Sequence, residues 1–262
     1  MRPFLAAFIA EWRVLIAYRS AAIAGILTQI AFGLVNIQVL SACYRHGPAQ
    51  IFTLAAATDY VWLMQSFFRL IPQRPDPRVV QGVRSGNIAG DLLRPVDAYY
   101  WWLARAIAGY AAPTLLRCLP LLVLALLVGW LRPPANTEAA LAFAVAITLA
   151  CLLAATFSVL MALTAFWTLA GDGIGALMPP LVWLMSGVVL PLPLWPDSLR
   201  WLVDILPFRA VLDTPARIWS GELAGANAVA AIAHQCAWIA AFLLIGRWLA
   251  ARGLRRLIIQ GG

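Results

Sequence analysis

The chain has 262 residues, of which 63% are hydrophobic and only 11% charged, with a net charge of +8 and a mean hydropathy of +0.84. Charged residues run near 25% in soluble domains, so a chain this apolar reads as an integral membrane protein, and its long apolar runs read as helices rather than barrel strands. All 19 basic residues are arginine; without lysine there is no Walker A phosphate-binding loop, and the chain is not itself a P-loop ATPase.

The first twenty residues place Phe4, Leu5, Phe8, Trp12, Leu15 and Ile16 near one helical face, with Arg2, Glu11 and Arg13 toward the other. That pattern predicts a helix lying in the membrane interface over 1–20, retained rather than cleaved as a leader. Apolar periodicity and breakers then predict spans over 21–44, 50–71, 99–131, 139–169, 176–194 and 228–249. Arg45 to Pro48 make the first loop, and the three prolines of PQRPDP close the second span. Pro113 and Pro120 are expected to kink the third, and AGDGIG to make a tight turn before the fifth, with Asp172 a solvated turn residue. Between spans five and six, 195–225 holds two helical candidates too short to cross, Ser198 to Leu206 and Arg209 to Ser220. They predict an external hairpin, re-entrant or lying on the surface. The fold class is all-α: one polytopic domain of six transmembrane helices.

Arginine placement orients it. With the N-terminus inside, the inner side holds thirteen arginines and the outer side five, which makes both termini cytoplasmic. Since these arginines flank apolar segments, they read as membrane orientation, with membrane lipid as the surrounding partner and no nucleic acid. The four cysteines, Cys43, Cys118, Cys151 and Cys236, are scattered in or beside apolar runs, as small hydrophobes are. Two histidines, His46 and His234, leave no metal-ligand or triad spacing, so no catalytic or metal site is assigned.

One polar segment, 72–98, interrupts this chain. Asp76 and Pro77 suit the cap and first residue of a helix, and Gly86 its stop; Val79, Val80 and Val83 share a face, with Arg78 and Arg84 on the flank. A second turn, Asn87 to Leu93, offers Ile88, Leu92 and Leu93 as an apolar ridge before Arg94 and Pro95 break it, and Asp97 caps the third span. A ridge with basic edges can press into a partner's groove; the plainer alternative is a charged loop that only fixes orientation.

The layout of an interfacial helix, six spans, one cytoplasmic segment and an external hairpin resembles the exporter-type permeases of ATP-binding-cassette (ABC) transporters, the type-2 family. VRSGNIAGDLLRPVD, Val83 to Asp97, resembles the first signature of a six-span bacterial subfamily, and LPFRAVLDTPARIWSG, Leu206 to Gly221, its second. The resemblance spans essentially the whole chain. It implies a permease of the bacterial inner membrane that pairs with a second permease subunit, identical or homologous, and with two cytoplasmic ATPase subunits that hold ATP and Mg. It also implies ATPase coupling through Val83, Arg84, Gly86, Ile88, Leu92, Leu93 and Arg94. A secondary transporter or a membrane-embedded transferase is the rival reading. No internal repeat supports the first, and no carboxylate or histidine cluster the second.

Four intramembrane polar residues stand apart. Arg117 falls near the bilayer midplane, as a functional charge or as one that snorkels or satisfies a broken-helix carbonyl. Asp59 lies below the outer surface if its span starts near Gln50, paired there with Arg117, or is an N-cap if the helix starts later. Gln29 and Asn36 share a stripe with Gly25 and Gly33, read as helix packing or, in the minority reading, as a substrate lining.

Overall fold

The computed structural model describes residues 2–17, 19–46, 53–168, 172–189 and 191–256. The expected loop at Arg45 to Pro48 and the AGDGIG turn fall partly outside the described residues, as do the side chains of Arg2, Glu11, Leu15 and Asp172. Every regular element among the described residues is helical, in the order α1 (Arg2–Ala17), α2 (Arg19–His46), α3 (Leu54–Phe67), α4 (Pro77–Ser85), α5 (Ala89–Leu92), α6 (Ala98–Pro113), α7 (Leu119–Val128), α8 (Thr137–Leu163), α9 (Ala165–Thr168), α10 (Asp172–Met185), α11 (Asp197–Ile205), α12 (Arg209–Trp219) and α13 (Ala226–Leu254).

Among the described residues, four stretches are long and apolar enough to cross a membrane: Ser20–Arg45, Ala98–Val128, Thr137–Thr168 and Ala226–Leu254. The shortest, at 26 residues, is about 39 Å long at 1.5 Å per residue, more than the ~30 Å hydrocarbon core. The other two expected spans hold helices of 14 residues each, about 21 Å. The first is shortened because Thr53 caps α3, its hydroxyl accepting from the Ala56 amide at 3.2 Å, and a 3-10 turn at Phe68–Leu70 leads into the prolines. In the second, α10 starts before the expected Ala176, runs through Pro179 and Pro180, and stops at Met185; a turn at Gly187 follows.

The expected kink in the third span is a π-helical turn, Thr114–Cys118, between Pro113 and Pro120. Proline removes a backbone donor, and the wider turn absorbs the mismatch. The helix stops at Gly129, whose φ of 78° is left-handed.

The core sits around α8. Its buried face is rich in small residues, among them Ala146, Ala150, Ala154, Ala155 and Ala162, and small side chains let neighbouring backbones approach closely. α13, α12, α6 and α4 all pack on it. α1 lies along α6 with Ala7 buried between them, while on its apolar face Phe8 stacks on Trp12 at 5.8 Å and Leu5 and Ile16 are exposed. The contact face is the narrow one because a small side chain permits a close crossing, which leaves the bulky residues free to face lipid.

The polar segment, the hairpin and the charged residues between them

Local chemistry builds α4 as its sequence suggests. Asp76 caps it by accepting from the amides of Arg78 at 2.9 Å and Val79 at 3.4 Å, and Gly86 ends it at φ 74°. Val79 and Val83 are buried toward the bundle. The approach to α4 is strapped to α8: the Asp76 amide donates to the Ser158 carbonyl at 3.2 Å, and the Ser158 hydroxyl to the Arg74 carbonyl at 3.0 Å.

The expected ridge of Ile88, Leu92 and Leu93 is split. Ile88 turns inward, 2% exposed, with its amide bonded to the Gly82 carbonyl at 3.0 Å; it closes the turn after α4 and cannot touch a partner. Leu92 and Leu93 do face out, at 38% and 87% exposure. Arg84 and Gly86 are exposed beside them, and Arg94 lies over the Trp101 ring at 4.7 Å. α5 is held down by Asp91, which accepts from Trp102 Nε1 at 2.9 Å and pairs with Arg94 at 3.5 Å and Arg105 at 3.9 Å. Asp97 caps α6 through the Tyr99 amide at 3.0 Å and pairs with Arg247 of α13.

Asp59 and Arg117 do not meet. Asp59 is neither a cap nor a partner of Arg117: Thr53 takes the cap, and the Asp59 carboxylate accepts from Arg132 twice, from its amide at 3.0 Å and its Nε at 2.5 Å. The turn after α7 brings Arg132 back onto α3, which depth along one helix could not reveal. Arg117, in the π turn, lays its guanidinium over Gly25, where a Cβ would clash with it, and lines a cavity toward the polar-segment end. Gln29 is buried and Gly33 meets the Trp62 ring, so that stripe packs against α3 and the π turn, but Asn36 is exposed and outside the contact.

At the opposite end, α11 and α12 stand where the hairpin is expected, joined by a bend at Leu206–Phe208. Its tip is pinned by α13: Trp238 Nε1 donates to the Ile205 carbonyl at 2.9 Å, and the Gln235 amide nitrogen bridges the carbonyls of Ala210 at 2.7 Å and Ala146 at 3.0 Å. Gln235 stands about 14 Å along α13 from its start, so α12 enters well below that end of the bundle. It climbs back to the turn after α7, where Trp219 Nε1 donates to the Arg132 carbonyl and its own carbonyl accepts from the Ala135 amide, both at 3.0 Å.

Comparison with protein families matches residues 19–261 to the ABC-2 family transporter protein. The chain belongs to this family. Comparison with curated proteins and with solved structures returned no match. As an ABC-2 type permease, the chain is a membrane component of an ABC transporter, and its apolar helices are those of a multi-pass membrane protein.

Within the permease, sequence reasoning passed over one cluster. Asp213, 1% exposed in α12, accepts from the Tyr60 hydroxyl of α3 at 2.8 Å and lies 3.8 Å from Arg217, which pairs with Glu222 at 2.9 Å. The signal was present: Asp213 and Arg217 stand at i, i+4 inside the second signature, a spacing that puts both on one face. Gln235 was equally visible as an amide in the middle of an apolar span, where such groups bond across helices.

Proposed function

We propose that the chain is the membrane half of an ABC exporter, moving a hydrophobic or amphipathic substrate across the bacterial inner membrane with ATP and Mg held by two separate cytoplasmic ATPase subunits. A second permease, identical or homologous, completes the pore. Members of the ABC-2 family normally work with ATPase subunits. The observation that carries the docking site is the exposure of Leu93 at 87%, next to Leu92, on a segment that Val79, Val83 and Ile88, all buried, anchor to the bundle. A connector that only set orientation would have no reason to fix two leucines outward on a pinned turn, between Arg84 and Arg94.

In this reading the chain crosses six times with both termini cytoplasmic. α3 completes its crossing through the 3-10 turn and proline run that follow it and α10 through the turn at Gly187, and α11–α12 is a re-entrant hairpin from outside. Backbone at membrane depth is tolerable when it is buried in protein and its carbonyls are met, as Gln235 and Trp238 meet those of the tip.

The test is co-purification with co-expressed ABC ATPase subunits. Leu92→Ser with Leu93→Ser, all arginines kept, is expected to leave insertion normal and to abolish ATPase retention and substrate-stimulated hydrolysis; full retention overturns the docking site. Single cysteines at Asn136 or Ser198, in a background without the four native cysteines, are expected to label from outside intact cells and one at Asn87 not to. External labelling at Asn87 reverses the orientation.

A further inference from the structure

Five of the chain's arginines, from three stretches of the sequence, line one cavity of about 460 Å³. Arg69 follows α3, Arg74 and Arg78 flank the cap of α4, Arg105 is on α6, and Arg117 reaches in from the π turn. The single acid in the wall, Asp76, is committed to the α4 amides. Among the described residues no carboxylate lies within ion-pairing distance of Arg69, Arg74 or Arg117. Arg69 has only the Tyr110 ring, at 5.4 Å, and Arg105 reaches Asp91 at a loose 3.9 Å.

Arg105 and Arg117 are half-buried in the wall and Arg69, Arg74 and Arg78 are exposed around it; the positive-inside rule accounts for exposed arginines singly, but not for five of them lining one concave space. Like charges so placed repel one another, and the arrangement is relieved when an anion neutralises them. Guanidinium forks match the oxygens of a phosphate. The cavity lies beside Arg105, Ala106, Gly109 and Tyr110 of α6 and the approach to α4, with Phe68, Ile71 and Ala106 as apolar wall, and Arg117 reaches it from the π turn. A ligand that fits has an anionic head for the arginines and an apolar body for the helices.

We infer that this cavity binds the phosphate-bearing head of an amphiphile drawn from the adjacent membrane leaflet. The inference concerns the permease alone and holds whether or not the α4–α5 segment docks an ATPase.

The full chain, equilibrated with detergent-solubilised phosphatidylglycerol, phosphatidylcholine or inorganic phosphate alone, is examined by native mass spectrometry for retained ligand. Preferential retention of phosphatidylglycerol is expected. The pair Arg69→Gln and Arg117→Gln is expected to weaken it about tenfold or more, the scale of hydrogen bonds to a charged group. Arg200→Gln, at the other end of the bundle, is expected to leave it unchanged. Should the double variant fail to fold, Arg74→Gln on the exposed loop is expected to weaken retention in the same direction. Retention of inorganic phosphate by itself, lost in the same variants, assigns the site to the free anion and overturns the amphiphile. Equal retention of the two lipids, or phosphatidylglycerol binding unaltered in every variant, overturns the site altogether.

Discussion

The Tyr60–Asp213 contact holds the hairpin to the bundle, and its worth can be worked from its geometry. Both side chains are buried, at 4% and 1% exposure, and the hydroxyl donates to the carboxylate at 2.8 Å. Tyr60→Phe removes that donor and is expected to cost about 1.5–3 kcal/mol, the range for a hydrogen bond to a charged group. Asp213→Ala removes the acceptor and also leaves Arg217 facing Glu222 alone, a loss of about 3–5 kcal/mol, as for breaking a buried pair. Tyr60 also meets the Leu192 backbone, so in the Asp213→Ala background Tyr60→Phe loses only what does not depend on Asp213, and the double variant should cost less than the sum of the two singles by a coupling of about 1.5–3 kcal/mol. Reversible unfolding in mixed micelles of rising SDS fraction, with all four proteins in one detergent, reads the cycle. Additivity within about 0.5 kcal/mol would refute the reasoning, since independent sites add to that accuracy.

Asp59 and Arg132 should behave asymmetrically in the same assay. Arg132→Ala removes an exposed side chain but keeps the backbone amide that bonds Asp59, and should cost about 1 kcal/mol or less, whereas Asp59→Ala orphans that amide and releases the turn, costing about 1–3 kcal/mol. Equal costs would mean that the ion pair, not the turn, is what matters. Gly25→Leu drives a side chain into the place of the Arg117 guanidinium and is expected to cost about 1–3 kcal/mol. Arg117→Ala should recover most of it, and failure to do so would place the clash elsewhere.

What the sequence disclosed follows the range of the forces involved. Caps are decided within a few residues, so Asp76, Gly86 and Asp97 were legible, and the hairpin helices lie within a residue or two of their predicted bounds. Apolar length announced four long spans, but α3 and α10 are ended by Thr53 and by the turn at Gly187 inside runs that composition alone would continue. Partners across the fold were not legible. Asp59 and Arg117 were matched by depth, yet a turn folded Arg132 back onto α3 and a long side chain carried the Arg117 charge away from its own Cα. Ile88 and Leu92 share a helical stripe, but packing against Gly82 decides that only one of them is free. Arg69, Arg74, Arg78 and Arg105 each fitted the positive-inside rule separately and Arg117 was read alone near the midplane, so neither reading disclosed their convergence.

α8 joins the two ends. Near one end Ser158 holds the approach to α4 through two hydrogen bonds, and one residue earlier Phe157 packs edge-on against Phe208 at the hairpin tip, at 5.8 Å, and stacks with Phe242 of α13 at 5.1 Å. Further along, the Ala146 carbonyl and the Ala210 carbonyl of α12 share the Gln235 amide. A push on the α4–α5 segment therefore meets the helix that carries the hairpin within a single residue of its strap, with no flexible loop between. The alanine face of α8 makes that connection stiff: small side chains bring backbones into contact and leave few rotamers to absorb a displacement. A larger residue at Ala154 or Ala155 would separate these surfaces, whereas the same change on the lipid-facing side of α8 would not. If force passes between the ends of this permease, α8 is the element through which its packing directs it.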